Sequence, residues 1–252
     1  MRILFIGDIV GKVGRRMLNA HLLDLKRQHG AQVAIVNGEN AAHGKGITEK
    51  IYKELLTAGA DFITLGNHAF AKREIYPFLE GDVRMVRPAN FPEGAPGKGH
   101  GVINVNGKML QIINLQARSF MDPIDCPFKK ADEILKHSEA DEIFVDFHSE
   151  TTSESLAMGH YLDGRVGAVV GTHTHVQTND EQVLPQGTKY ITDVGMTGFK
   201  DGILGIRKEE VIERFIHQMP VRHNVPEEGA GILSGVIIDT KMNKISKIRI
   251  EE

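Results

Sequence analysis

Hydrophobic positions along the chain switch repeatedly between two periods. Arg2 to Gly7 is a short apolar run with the β-branched content of a strand, and Arg15 to His29 places Met17, Leu18, Leu22 and Leu25 on one helical face. Gln32 to Asn37 reads as a second strand. Glu49 to Ala58 is a helix behind a Thr48 cap, Asp61 to Leu65 a strand, Arg73 to Leu79 a helix and Val83 to Arg87 a strand. This βαβα alternation predicts an α/β sheet.

The rhythm then changes. Val102 to Val105 and Met109 to Leu115 are joined through Asn106-Gly107, the dipeptide that favours a tight hairpin, so an antiparallel element is expected there. Asp122 to Phe128, with Pro123 and Pro127, reads as a loop, followed by a helix over Lys129 to His137 and a strand over Glu142 to Phe147. Helical spacing returns at Ser153 to His160. Val166 to Val170, Lys189 to Asp193, Gly231 to Ile238 and Ile245 to Ile250 are further strands, the last two around a turn at Lys241 to Lys244. Without internal repeat, low-complexity tract or Pro/Ser-rich linker, residues 1–252 are expected to form one domain with a mixed sheet, single or double, covered by helices.

Composition narrows the function. The 252 residues carry 30 Lys+Arg against 33 Asp+Glu, and a net charge of -3 speaks against a strongly basic nucleic-acid binder, so no stable nucleic-acid partner is expected. Cys126 is the only cysteine, which excludes an intrachain disulfide and a Cys-rich metal site. A reducing, cytoplasmic setting is expected. No apolar stretch approaches the roughly 18 residues of a membrane span, and the opening run shows no cleavage pattern behind it.

The 27 glycines gather beside His, Asn and Asp rather than in a linker. Asp8 follows the first strand, Glu39 and Asn40 the second, and Asn67 and His68 the third; His148 and the pair His173 and His175 follow later ones. In open α/β sheets the carboxyl ends of strands converge on one crevice, so these residues would meet in space. Taken singly, Asp8 suits a turn or cap and His148 a satisfied core histidine; His173 and His175, at i and i+2 on an extended segment, share a side. Jointly they exceed what one cation takes and fit a two-metal centre with ions about 3.5–4 Å apart.

In this order the residues resemble the calcineurin-like metallophosphoesterases, through Gly7-Asp8, Asn37-Gly38-Glu39-Asn40, Gly66-Asn67-His68, His148 and Gly171-Thr172-His173-Thr174-His175. Val10 stands where that pattern has a first-motif His, and Glu39 with Asn40 where it has an Asp. Those departures, with the strings from Asn37 to Gly46, Arg87 to Pro92 and Thr192 to Gly198, resemble the bacterial YmdB-type subfamily.

The resemblance implies a four-layer α/β/β/α sandwich with mixed sheets. It also implies a metal-dependent hydrolase acting on phosphodiesters, notably 2′,3′-cyclic nucleotides, by attack of a metal-bridging hydroxide with His68 as general acid. By position, Asp8, Glu39, Asn40 and His175 would hold one metal and Glu39, Asn67, His148 and His173 the other, Glu39 bridging. Two divalent or trivalent transition metals, iron or manganese with zinc as the other option, suit these donors. The resemblance further implies a small phosphodiester or nucleotide substrate and a homo-oligomer, while the lack of a long apolar stretch leads to the expectation of no membrane partner. Two other readings stay open: a metal-dependent amidohydrolase, whose His-x-His comes early rather than late, and a regulatory or RNA-associated scaffold that retains a di-metal fold. His43, Lys45 and Arg118 are read as loop residues that could reach substrate, and Met158 and Met196 as packing.

Overall fold

Alternate residues of the first strand face two different cores. In the computed structural model, which describes residues 1–81 and 83–252, β1 (Arg2–Ile6) sends Leu4 and Ile6 towards helices and Ile3 and Phe5 towards a second sheet. Side chains of a strand alternate between faces, so apolar residues at consecutive positions require cover on both sides.

In chain order the first half continues with β2 (Asp8–Ile9), α1 (Gly11–His29), β3 (Val33–Asn37), α2 (Glu49–Thr57), β4 (Phe62–Thr64), α3 (Ile75–Leu79), β5 (Met85–Val86), β6 (His100–Val105) and β7 (Lys108–Gln116). The second half holds α4 (Pro127–Lys136), β8 (Glu142–His148), α5 (Thr152–Tyr161), β9 (Ala168–Thr172), β10 (Gln182–Val183) and β11 (Lys189–Ile191). It closes with β12 (Met196–Phe199), α6 (Lys208–His217), β13 (Gly231–Asp239) and β14 (Lys244–Glu251). The first sheet runs β2-β12-β13-β1-β3-β4-β5, with β14 on β13; the second runs β10-β11-β9-β8-β7-β6. Pairing is parallel along β1-β3-β4-β5 and along β7-β8-β9-β11, and antiparallel at the β6-β7 and β13-β14 hairpins.

Three apolar layers follow. Met17, Leu18, Leu22, Ile51, Leu55 and Leu79 of the first helices pack on Leu4, Ile6, Val36 and Ile63. Phe5, Ile35, Phe62 and Val236 meet Ile112, Phe144, Val170 and Ile191 between the sheets, where the rings of Phe5 and Phe144 are 5.2 Å apart. Ala131, Ile134, Met158 and Leu162 of α4 and α5 cover Val145, Phe147 and Val169. This is a four-layer α/β/β/α sandwich with mixed sheets. Among the described residues no helix is long and apolar enough to cross a membrane.

The hairpin lies where Asn106-Gly107 predicts it, with φ of 53° and 86° at its two turn residues, the double left-handed pattern of a type I′ turn. Other boundaries shift. Helix α1 begins at Gly11 rather than Arg15, the strand expected over Val166 to Val170 pairs as Ala168–Thr172, and the one expected over Lys189 to Asp193 ends at Ile191. The short strands β2, β10 and β12 and the helix α6 add to the predicted set.

Candidate metal centre

Both sheets direct parallel strands at the same crevice, and their carboxyl ends carry the polar residues. Asp8 opens β2, Glu39 and Asn40 follow β3, Asn67 and His68 follow β4, His148 ends β8, and His173 and His175 follow β9. Asp8, Glu39, Asn40 and His148 are buried; Asn67, His68, His173 and His175 are half-buried at the mouth.

The donors converge on His148. Its Nε2 lies 3.1 Å from Glu39 Oε1, 3.0 Å from Asn67 Oδ1 and 3.0 Å from His173 Nδ1. Its Nδ1 lies 2.9 Å from Thr172 Oγ1, and that hydroxyl donates to Asp146 Oδ1 at 2.7 Å. Because the Thr172 proton goes to Asp146, its oxygen accepts from His148 Nδ1–H, which turns Nε2 towards the other donors. Oxygens of Glu39 and Asn67 thus gather about Nε2 of His148, an arrangement that a proton or a cation at this point stabilises. Glu39, His148 and His173 form a candidate metal-binding cluster, each offering an atom within 4.8 Å of the others.

The surrounding carboxylates favour positive charge at this point. Burial alone would lower the pKa of His148, yet Glu39, Asp8 and Asp146 raise it to about 9. Burial would raise Glu39, but the adjacent His148 and its hydrogen bond bring it down to about 2. Burial and then the charge of His148 push His173 down to about 3. Asp8 rises to about 7, chiefly by burial, and its Oδ1 is buried with no hydrogen-bond partner while Oδ2 accepts from His173 N at 3.1 Å. A buried unpaired carboxylate oxygen costs free energy unless a cation or donor meets it.

On the other flank, His175 Nδ1–H donates to the carbonyl of Leu204 at 3.0 Å, leaving Nε2 to accept from Asn40 Nδ2 at 3.2 Å. That amide nitrogen also donates to Glu39 Oε1 at 2.9 Å. Asn40 therefore presents nitrogen, not oxygen, to its neighbours. His173 and His175 have φ of 108° and 66°, so the loop that carries them is held in backbone that non-glycine residues avoid. Asp193 holds the intervening residue, accepting from Thr174 N at 2.9 Å and Thr174 Oγ1 at 2.8 Å. His68 donates its backbone N–H to Glu39 Oε2 at 3.2 Å, and burial, with help from the charge of Lys45, lowers its pKa. Lys45 and His43 are exposed on the loop after Glu39, as is Arg118 after β7, while Met158 and Met196 are buried among apolar side chains.

Sequence reasoning missed the supports. Asp146 is buried between the sheets and accepts from Thr64 Oγ1, from Asn37 Nδ2 at 3.0 Å and from Thr172, tying β3 and β4 to β8 and β9. Its spacing of two residues from His148 on one strand, hence the same face, is the signal that could have found it. Glu150, 3.0 Å from His173 Nε2, left no comparable trace.

A family model described as YmdB-like protein matches residues 4–252. A 2′,3′-cyclic-nucleotide 2′-phosphodiesterase of Bacillus subtilis is 55% identical, with 100% of this chain and 96% of that protein aligned. A crystal structure of a Thermus thermophilus protein without stated function superposes with a TM-score of 0.95 at 42% identity, covering all of both chains. That of a novel phosphatase from Mycoplasma pneumoniae gives 0.93 at 35% identity, covering 100% of this chain and 94% of the other.

Proposed function

This chain belongs to the YmdB-like protein family, and on that premise we propose that it is a metal-dependent phosphodiesterase, one domain over residues 1–252, that hydrolyses 2′,3′-cyclic nucleotides. The observation that carries the reading is the crowding of Glu39, Asn67 and His173 around Nε2 of His148, with the unpartnered Asp8 Oδ1 beside it.

These donors fit hard or borderline cations, being carboxylate oxygen, amide oxygen and imidazole nitrogen with no thiolate among them. Glu39, Asn67, His148 and His173 would hold one ion, and Asp8, Glu39, Asn40 and His175 a second, with Glu39 shared; iron or manganese suits the set, and zinc is the other option. Asn40 would turn its amide over to offer oxygen, giving up its Nδ2 hydrogen bonds to Glu39 and His175 in exchange for the cation. Bound cations supply a nucleophile at neutral pH and neutralise charge on the phosphoryl oxygens.

The remaining work falls to the protein. The Asp146–Thr172 pair fixes the His148 tautomer and ring plane, and Asp193 fixes the His173–His175 loop. His68, anchored through its backbone to Glu39 and half-exposed at the mouth, holds its imidazole free to protonate the sugar oxygen that departs. Lys45 adds positive charge on the same side to meet an anionic substrate.

A homo-oligomer and a cytoplasmic setting belong to the same proposal. Ile212, Phe215 and Ile216 of α6 are exposed, a surface that a second copy would cover, and the single free Cys126 suits a reducing compartment. The full complement of donors leaves the scaffold reading without a supporting observation.

The test is hydrolysis of 2′,3′-cyclic, 3′,5′-cyclic and monoester substrates by the purified protein. Preferential turnover of the 2′,3′-cyclic diesters supports the reading. Turnover confined to monoesters contradicts it.

A further inference from the structure

The ends of β5 and β7 meet next to the candidate metal cluster. Asn90, after β5, accepts from Gln116 N at 2.9 Å and donates to Gln116 O at 2.7 Å, joining the ends of the two sheets. The next residue, Ala117, donates its N–H to the carbonyl of His148 at 2.9 Å. The chain leaving β7 therefore starts beside His148, on the flank where β4 delivers His68 rather than where β2 delivers Asp8.

Three residues on stands Phe120, 91% exposed, with its Cα within roughly 11 Å of that of Ala117 by chain length alone. It is the third residue of a turn closed by Met121 N–H to Arg118 O at 3.3 Å, and its φ is 58°. That position favours glycine, and a bulky aromatic there is a conformational outlier. The strain is held in place from below: the buried carboxylate of Glu154 accepts from Arg118 N at 3.1 Å and from Ser119 N at 2.8 Å. Neither apolar burial nor backbone preference accounts for a phenyl ring at this position. Strained, ordered residues at the mouth of a site are commonly kept for a ligand.

We propose that Phe120 is a stacking platform for the nucleobase of the substrate, with Arg118 beside it on the same turn. The inference rests on the phosphodiesterase reading above. In a 2′,3′-cyclic nucleotide both ester oxygens belong to the ribose that bears the base, so whichever oxygen departs, the base stays on the leaving-group flank, which is the flank of His68. The neighbours of Phe120 at the tip, Arg118, Ser119 and Asp122, are exposed and polar. A lone aromatic face in a polar rim suits a planar heterocycle with polar edges better than an extended apolar partner.

The test compares wild type, Phe120→Ala and Phe120→Trp on 2′,3′-cyclic AMP, 2′,3′-cyclic UMP and glycerol 1,2-cyclic phosphate, a cyclic diester with no base. Phe120→Ala raises KM for 2′,3′-cyclic AMP about tenfold, and for the UMP diester less, with kcat held. It leaves the glycerol diester unchanged, and Phe120→Trp restores binding. Equal losses on the nucleotide and glycerol diesters, or no loss on either, overturn the subsite while leaving the phosphodiesterase reading intact. A changed sedimentation coefficient in Phe120→Ala assigns the ring to a contact between copies and also overturns it. A wild type that hydrolyses none of the three overturns the phosphodiesterase reading itself.

Discussion

Replacing Gly66 by alanine tests the cluster without replacing any of its donors. A Cβ on Gly66 would lie 2.3 Å from Glu39 Oε2 and 2.5 Å from both Cδ2 and Nε2 of His148. Ordinary van der Waals separation is ~3.5 Å, so the carboxylate or the ring must retreat on the order of 1 Å. Gly66 does not occupy left-handed backbone, so alanine brings no conformational penalty and the effect falls on Glu39 and His148 alone. Overpacking of this kind costs about 1–3 kcal/mol of stability, a modest loss for a folded protein. Misplacement by ~1 Å at a reacting centre costs about a hundredfold in rate. Gly66→Ala is therefore expected to keep its circular dichroism spectrum, to lose bound metal and to fall about a hundredfold in kcat/KM on 2′,3′-cyclic AMP. Elemental analysis and steady-state kinetics on one preparation decide it. Full metal content with wild-type turnover would refute the claim that Glu39 and His148 face a common cation across Gly66.

Other changes separate the roles of neighbouring residues. Asn67→Ala is expected to lose metal, whereas His68→Ala keeps metal and loses about 10²–10⁴ in kcat; the reverse pattern in elemental analysis and kinetics contradicts both assignments. Thr172→Val removes the acceptor for His148 Nδ1–H and is expected to weaken metal affinity about 10–100-fold, measured by competition with a chelator; unchanged affinity removes Thr172 from the account. Gly107→Ala, in open space at a φ of 86°, is expected to cost about 1 kcal/mol in denaturant unfolding with turnover unchanged, and a loss of activity would contradict the independence of hairpin and site.

The parts of this molecule that were legible in its sequence are those fixed locally. Each donor follows a strand, and the topology of parallel strands does the gathering, so Asp8, Glu39, Asn67, His148 and His173 could be grouped with no knowledge of strand order. Parity along β1 foreshadows two cores, since Ile3 and Phe5 cannot share a face with Leu4 and Ile6. What was not legible depends on distant partners. The strands β2 and β12 are short pieces set by distant partners: β2 pairs with β12 across 188 positions of chain, from Asp8 to Met196, and β12 pairs also with β13. Helix α1 starts four residues early because Gly14, which reads as a helix breaker, is where the backbone passes Thr197: a Cβ there would sit 2.2 Å from Thr197 O. Helix α6 buries only Val211, so its apolar residues mark no inward face. Asp146 shares a strand face with His148, but its purpose shows only once Thr64, Asn37 and Thr172 are seen to donate to it.

The proposed chemistry requires a cation in the space that Glu39, Asn67, His148 and His173 enclose. The most direct measurement is metal content per chain, by elemental analysis, on protein as purified, after chelation and after reconstitution, with 2′,3′-cyclic AMP hydrolysis recorded on each sample. About two bound transition-metal ions per chain, turnover lost with them and regained on reconstitution, is the predicted result. Turnover that persists in the stripped protein, or a chain that takes up no metal at any stage, would contradict it.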